Sequence, residues 1–204
     1  FSLQFKDYNV ELILVNNGSK DNTKIEIEKV IKNNSSSNIK IKLVDLKDNK
    51  GYGGGISEGL KVASGDYIGW AHADLQTPLK DFLTLFDKIK GKKNILGKGF
   101  RTNNRGFDGI ISRLHENLAS FVLGVNMKEV NAQPKIFNKE LMSYFSKMPH
   151  KWTTLDTYVM YVCLKNKIEV QTIDVVFNTR KFGQSKWKNN FINFMSKISG
   201  LYCF

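Results

Sequence analysis

The stretch Asp66-Tyr67-Ile68-Gly69-Trp70-Ala71-His72-Ala73-Asp74-Leu75-Gln76-Thr77-Pro78 decides the fold. Its first part, Asp66 to Trp70, has the length and apolar character of a short buried strand, and Thr77-Pro78 opens a helix with proline at its start. Between them lies a polar turn. In an extended segment alternate side chains share a side, so His72, Asp74 and Gln76 can converge. One imidazole, one carboxylate and one amide oxygen make a compact donor set for a divalent ion. Alone, an aspartate at a strand end is more often a helix cap than a ligand.

Toward the N-terminus the same grammar repeats. Val10 to Val15 is an apolar run that ends in Asn16-Asn17-Gly18-Ser19, and Lys20 to Lys32 places Ile25, Ile27, Val30 and Ile31 at helical spacing. Ile39 to Leu46 alternates as a strand. Gly51 to Ala63 passes from a glycine-rich entry into helical spacing at Ile56, Leu60 and Ala63. The segment Asn49 to Gly55 can bring backbone N–H groups to a diphosphate at a helix start, or be a plain flexible turn. Its spacing is not that of a dinucleotide fingerprint.

Toward the C-terminus, Leu79, Phe82, Leu83 and Phe86 continue the helix, and Asn94 to Gly99 is a short strand before the basic loop Arg101 to Arg105. Ile110, Ile111, Leu114, Leu118, Phe121 and Val122 form a helical stripe. A Lys135-Ile136-Phe137 segment, short helices at Lys139 to Phe145 and Leu155 to Leu164, and a strand at Ile168 to Phe177 follow. The polar loop Asn178 to Lys186 precedes a last amphipathic helix with Phe191, Phe194, Met195 and Ile198 on one face. Such a face packs on a core or lies on a membrane.

Alternating short apolar runs and helical patterns predict an α/β fold: a Rossmann-like, mostly parallel sheet flanked by helices. Ligands of such sheets sit at the carboxyl ends of strands, where Asn17 and Asp74 both fall. A domain of this kind opens with a strand, so a first strand is expected to be missing before Phe1. The 204 residues, 41% hydrophobic and 12% aromatic, suffice for one domain with a substantial core. The two cysteines, Cys163 and Cys203, have no Cys-x-x-Cys spacing, which fits a reducing compartment and excludes a disulfide scaffold. No stretch approaches the ~18 consecutive apolar residues of a membrane span. The net charge of +12 calls for an anionic partner, although the basic residues are dispersed along the chain.

Three segments in order carry a resemblance. Asn16-Asn17-Gly18-Ser19-Lys20-Asp21-Asn22-Thr23, then Asn49-Lys50-Gly51 with Gly65-Asp66-Tyr67-Ile68, then His72-Ala73-Asp74-Leu75-Gln76-Thr77-Pro78 resemble the nucleotide-binding half of family 2 glycosyltransferases, which have the GT-A fold. Arg101, Arg113, Lys135-Ile136-Phe137 and Arg180-x-x-Gly183-x-Ser185-Lys186 resemble the polyprenyl-phosphate sugar transferases of that family, the group of dolichyl-phosphate mannosyltransferase. The resemblance implies one catalytic domain over residues 1–204, with a nucleotide-sugar-binding half (1–100) and an acceptor-binding half (101–204). It implies donor contacts from Asn16, Asn17, Ser19, Asp21, Lys50, Gly51, Gly54, His72 and Ala73, and metal ligation by Asp74, Gln76 and His72, with Asp74 also catalytic. Acceptor phosphate would meet Arg101, Arg113, Lys135, Arg180, Ser185 and Lys186, with Arg105 a further phosphate candidate.

Two departures from the family pattern matter. The paired aspartates of its first loop are Asn16 and Asn17 here, and the first aspartate of its metal motif is His72. An asparagine amide both donates and accepts, so the base preference changes; UDP is the first expectation and GDP the second. A neutral imidazole softens the site and favours Mn²⁺ over Mg²⁺ if it binds. The reaction implied is inversion at the anomeric carbon, with a hexose passing to polyprenyl phosphate. A phosphate acceptor is already largely ionised near neutral pH and requires no base. A saccharide hydroxyl of a surface polymer would require one, and Asp156 is the candidate, or else a helix cap. Two other readings stand beside these: an inactive sugar-nucleotide-binding relative, and a basic nucleic-acid module. The second needs a coherent basic stripe with stacking aromatics, whereas the aromatics here fall mostly on apolar runs, and no nucleic-acid partner is expected. The implied place of work is the cytoplasmic, inner face of a membrane, as a peripheral enzyme of the cell envelope.

Overall fold

The computed structural model describes residues 8–34, 39–74, 76–103, 106–145 and 155–178. By contact they form two compact units, the first reaching Asp66 and the second starting at Tyr67. This division falls inside the stretch that the sequence assigns to donor binding.

In the first unit, β1 (Val10–Asn17) pairs in parallel with β2 (Ile39–Leu46), in register from Val10 opposite Ile39 to Asn17 opposite Leu46. The crossover between them carries α1 (Thr23–Asn33), and α2 (Gly51–Val62) follows β2. Glycine decides how α2 seats on β1. A Cβ at Gly55 would lie 2.9 Å from Asn17 Nδ2, and one at Gly59 would lie 3.0 Å from Val15 Cγ2. The helix face is therefore stripped of side chains where it meets the strand.

The second unit holds a four-stranded sheet in the order β3-β5-β4-β6. Its strands are β3 (Tyr67–Trp70), β4 (Ile95–Arg101), β5 (Lys135–Asn138) and β6 (Glu169–Val175). β4 and β6 are parallel, whereas β5 is antiparallel to both β3 and β4. So β3, β4 and β6 run the same way and β5 alone is reversed. Their carboxyl ends share one edge. Three helices accompany this sheet: α3 (Leu79–Ile89), α4 (Gly106–Leu123) and α5 (Leu155–Lys165). Leu85 and Ile89 of α3 join Ile95, Ile136, Ile173 and Val175 in one buried cluster, with Tyr67, Phe82 and Phe86 packed against it. β5 is admitted by two glycines that flank it. A Cβ at Gly69 would stand 2.3 Å from the Lys135 carbonyl oxygen, and one at Gly99 would stand 2.2 Å from that of Gln133.

The elements lie where hydrophobic period placed them, with one reversal. The apolar stripe of α4 faces outward: Ile110, Leu114, Phe121 and Val122 are exposed, Phe121 at 87%. Its buried side is His115, Glu116 and Ala119. The reason is polar: Glu116 Oε1 accepts the backbone N–H of Val130 at 3.1 Å, and a helix cannot turn both faces inward. Among the described residues no helix is long and apolar enough to cross a membrane. The last amphipathic helix read from sequence lies outside the described residues.

Candidate functional site

The first unit builds its loop from asparagines. Asn16, buried at the end of β1, donates from Nδ2 to Asp45 Oδ1 at 2.7 Å, and its Oδ1 accepts the Ser19 N–H at 3.3 Å. Asn17 accepts the Lys50 N–H at 2.9 Å and donates to the Gly51 carbonyl at 2.8 Å. Both loops are thereby knitted together. Gly18 sits at φ +69°, and a Cβ there would be 2.4 Å from the Asn49 nitrogen, so this approach requires glycine. The Gly51 N–H is held by Asn49 Oδ1 at 2.7 Å. The amides of Lys50 and Gly51 are therefore spent within the protein and do not cradle a diphosphate in this arrangement.

Other residues of this unit have local duties. Asp21 Oδ1 accepts the Thr23 N–H at 3.0 Å at the start of α1, and the same Thr23 contacts hold its carboxyl below the usual range. Lys50 Nζ lies 2.8 Å from Glu58 Oε1, which Lys61 also meets at 2.9 Å. The two lysines hold the Glu58 carboxyl at about 2. Gly54 is buried within α2.

The second unit carries the metal motif beyond the end of β3. His72 Nδ1 and Asp74 Oδ2 are 3.9 Å apart, a span that one ion with bonds of ~2.1 Å can bridge. Both side chains are half-buried, and Ala73 between them is exposed. Among the described residues no three of His, Cys, Asp and Glu gather as a metal group, and the further oxygen donor that the sequence offers beside His72 and Asp74 is Gln76 Oε1. Gln76 is placed to supply it. Its backbone N–H donates to Asp74 Oδ1 at 3.2 Å, and its Nε2 donates to the Asn178 carbonyl at 3.0 Å, leaving Oε1 as the group offered to a cation. The donor set fits a divalent ion.

Behind this edge lies a buried ionic cluster that sequence reading divided among unrelated roles. Lys135, fully buried on β5, places Nζ 2.6 Å from Asp156 Oδ1 and 3.0 Å from the Ala132 carbonyl, over the Trp70 ring. Lys135 therefore presents no ammonium to an acceptor phosphate here; it neutralises Asp156. Asp156, in turn, is 2% exposed and is the counter-ion of Lys135 in place of a general base facing substrate. Burial holds the Lys135 pKa below its ordinary value, against the opposing pull of the Asp156 carboxylate. Arg101, also buried, binds Glu129 through Nε and lies over the Phe177 ring, and its Nη2 has no hydrogen-bond partner among the described residues. Glu129 takes a left-handed backbone, φ 48°, to meet it. Arg113 is exposed on α4. Arg105, Arg180, Ser185 and Lys186 lie outside the described residues.

Sequence reading missed Lys98, Glu116, Glu129, Gln133 and Asn103. Lys98 alone left a signal, a lysine inside the apolar strand Ile95 to Phe100. It is 1% exposed, and its Nζ donates to the Lys128 carbonyl at 3.0 Å. Burial, joined by the nearby Lys135 charge, pushes it down to about 7. Its folded pKa lies below its unfolded value, so the unfolded chain binds the extra proton between about pH 7 and 10.5 and stability rises with pH across that window. The slope approaches ~1.4 kcal/mol per pH unit, and below the window the unfavourable contribution is constant. Lys98→Met is expected to gain most over the parent protein near the low end of this window, and the gain should shrink as pH rises. Urea-unfolding midpoints at several pH values measure this, and a pH-independent difference would refute it.

Comparison with known proteins agrees with this architecture. Residues 2–155 match the model of the family described as Glycosyl transferase family 2. A dolichyl-phosphate beta-glucosyltransferase of Dictyostelium discoideum is 28% identical over 193 residues, covering 88% of this chain and 58% of that protein. A dodecaprenyl-phosphate galacturonate synthase of Rhizobium johnstonii is 24% identical over 182 residues, covering 87% and 52%. The chain thus spans about half the length of these curated relatives. Among solved structures, glucosyl-3-phosphoglycerate synthase from Mycobacterium tuberculosis superposes with a TM-score of 0.64 at 18% identity, over 95% of this chain and 68% of that one. A mannosyltransferase from Pyrobaculum calidifontis, solved with GDP-Man and Mn²⁺, gives 0.62 at 15% identity, over 89% and 52%. The family model covers most of the chain, and solved structures share its architecture: the chain belongs to glycosyl transferase family 2 and has its GT-A fold.

Proposed function

We propose that this chain is the catalytic part of an inverting glycosyltransferase that moves a hexose from a nucleoside-diphosphate sugar to polyprenyl phosphate at a membrane surface. The observation that carries this reading is that relatives aligned over 88% and 87% of the chain are named for transferases of dolichyl phosphate and dodecaprenyl phosphate. In this reading residues 1–100 serve the donor and 101–204 the acceptor.

Asp74, Gln76 and His72 would hold the divalent ion, Mn²⁺ before Mg²⁺. When bound, that ion neutralises charge on the departing diphosphate. Asn16 and Asn17 fix the first loop, and the acceptor phosphate attacks the anomeric carbon from the opposite face without a base. The buried Lys135–Asp156 pair is consistent with a reaction in which Asp156 takes no proton.

The test is transfer of labelled sugar from a panel of UDP- and GDP-sugars to polyprenyl phosphate, with and without Mn²⁺. Transfer from a UDP-sugar that requires Mn²⁺ and inverts the anomer is expected. Transfer only to saccharide hydroxyls, or donor binding without any turnover, would overturn the assignment.

A further inference from the structure

In the first unit the loops after β1 and β2 differ in what their side chains have left to offer. Asn16 is buried and fixed at both ends of its amide, with Nδ2 on Asp45 and Oδ1 on the Ser19 N–H. Asn17 is fixed in the same way, with Oδ1 on the Lys50 N–H and Nδ2 on the Gly51 carbonyl. Neither amide can rotate toward a ligand without giving up a bond that joins the loops.

The second loop is placed otherwise. Asp48 and Asn49 are exposed, and a Cβ on Gly18 would stand 2.5 Å from the Asp48 carbonyl carbon and 2.4 Å from the Asn49 nitrogen. The Asp48–Asn49 peptide is thus the wall against which the first loop turns. Asn49 is fixed at one end, where Oδ1 accepts the Gly51 N–H at 2.7 Å and faces Asn17 Nδ2 at 3.5 Å. Among the described residues its Nδ2 and the Asp48 carboxylate have no hydrogen-bond or ion-pair partner. The carboxylate that the first loop lacks beside the family pattern therefore stands in the second, at Asp48.

Two adjacent side chains so offer a pure acceptor and an oriented N–H donor. Their complement is a ring N–H beside a ring carbonyl. Uracil carries that pair at N3–H and O4, and guanine carries it at N1–H and O6. Cytosine and adenine carry the inverse, a bare ring nitrogen beside an amino group, so that Asp48 would meet an acceptor and Asn49 a donor.

We infer that Asp48 and Asn49, in place of Asn16 and Asn17, read the base of the donor nucleotide, admitting uracil and guanine and refusing cytosine and adenine. This inference rests on the nucleoside-diphosphate donor of the proposed function.

Calorimetric binding of UDP, GDP, CDP and ADP to the whole protein in Mn²⁺ tests it. The parent protein is expected to hold UDP and GDP about 10-fold or more tighter than CDP and ADP, the effect of a hydrogen bond to a charged group. Asp48→Ala removes the acceptor and should weaken UDP and GDP by about 10-fold, with CDP and ADP unchanged. Asn49→Asp keeps an oxygen for the Gly51 N–H but loses the outward N–H, so the UDP-to-CDP ratio should fall while the loop stays closed. Damage to the loops without base reading would weaken all four nucleotides alike. Ratios retained in both variants, or a parent protein that binds all four equally, overturn the base assignment and leave the donor reading standing. A parent protein that binds none of the four overturns the donor reading, and the base assignment with it.

Discussion

Asp156→Asn is expected to destabilise the protein by about 3–5 kcal/mol, because it leaves the Lys135 ammonium buried without its counter-charge. Lys135 is fully buried, and among the described residues the carboxylate at bonding distance is Asp156, 2.6 Å away. Part of the loss is relieved if Lys135 sheds its proton, a route already favoured by burial. Lys135→Met should damage stability to a similar degree by stranding the carboxylate. The double replacement Lys135→Met with Asp156→Leu removes both charges and should recover most of the loss, since a buried pair exchanged for packed apolar groups is often close to neutral. Equilibrium urea unfolding of the four proteins forms the cycle. Additive losses in the double variant would mean the two residues do not act as a pair. Lost sugar transfer in Asp156→Asn therefore reports folding before it reports chemistry, and the double variant is the better probe of whether a base is needed.

Asp74→Ala should lower sugar transfer by about 10³-fold or more and abolish Mn²⁺ binding, with little change in stability. In the proposed donor set Asp74 is the single carboxylate, and without it His72 and Gln76 would offer a dication only neutral ligands. Its side chain is 16% exposed, and its Oδ1 accepts the Gln76 N–H of its own loop at 3.2 Å. His72→Ala keeps the carboxylate and should weaken Mn²⁺ binding far less. Transfer by Asp74→Ala at near-parental rates would remove this residue from the chemistry, and equal damage from His72→Ala would mean the imidazole is an equal partner.

The parts of the molecule legible in sequence are those governed by local period and turn chemistry. Strand β2 begins and ends at Ile39 and Leu46, where alternation placed it, and α2 starts at Gly51, where the glycines enter. His72, Asp74 and Gln76 stand out in sequence as a two-residue spacing after a strand, but Ala73 and Asp74 lie in a turn and Gln76 in a bend, so the extended geometry expected to bring the three together is not the one the chain adopts. Lys135 and Asp156 were each noticed but not as partners, since nothing local says that residues on β5 and α5 meet. Asn103 left no signal at all: its partners are the backbone N–H and C=O of Phe177, 74 residues away, which no local pattern reveals. The stripe on α4 misled because a 3.6-residue period reveals that a helix has two faces and not which one the rest of the chain will cover.

The reversed strand has a bearing on how the chain must be made. β3 and β4 are not neighbours; β5 stands between them, and β6 comes later still. A nascent chain emerging from the ribosome up to Pro134 therefore contains two strands of this sheet and none of its pairings. Cooperative closure of the second unit has to wait for translation through β5, and its contacts then join distant parts of the sequence, which is the slow regime for folding. Polypeptides cut short anywhere before Lys135 should behave as unassembled chains with helices but no sheet in this unit.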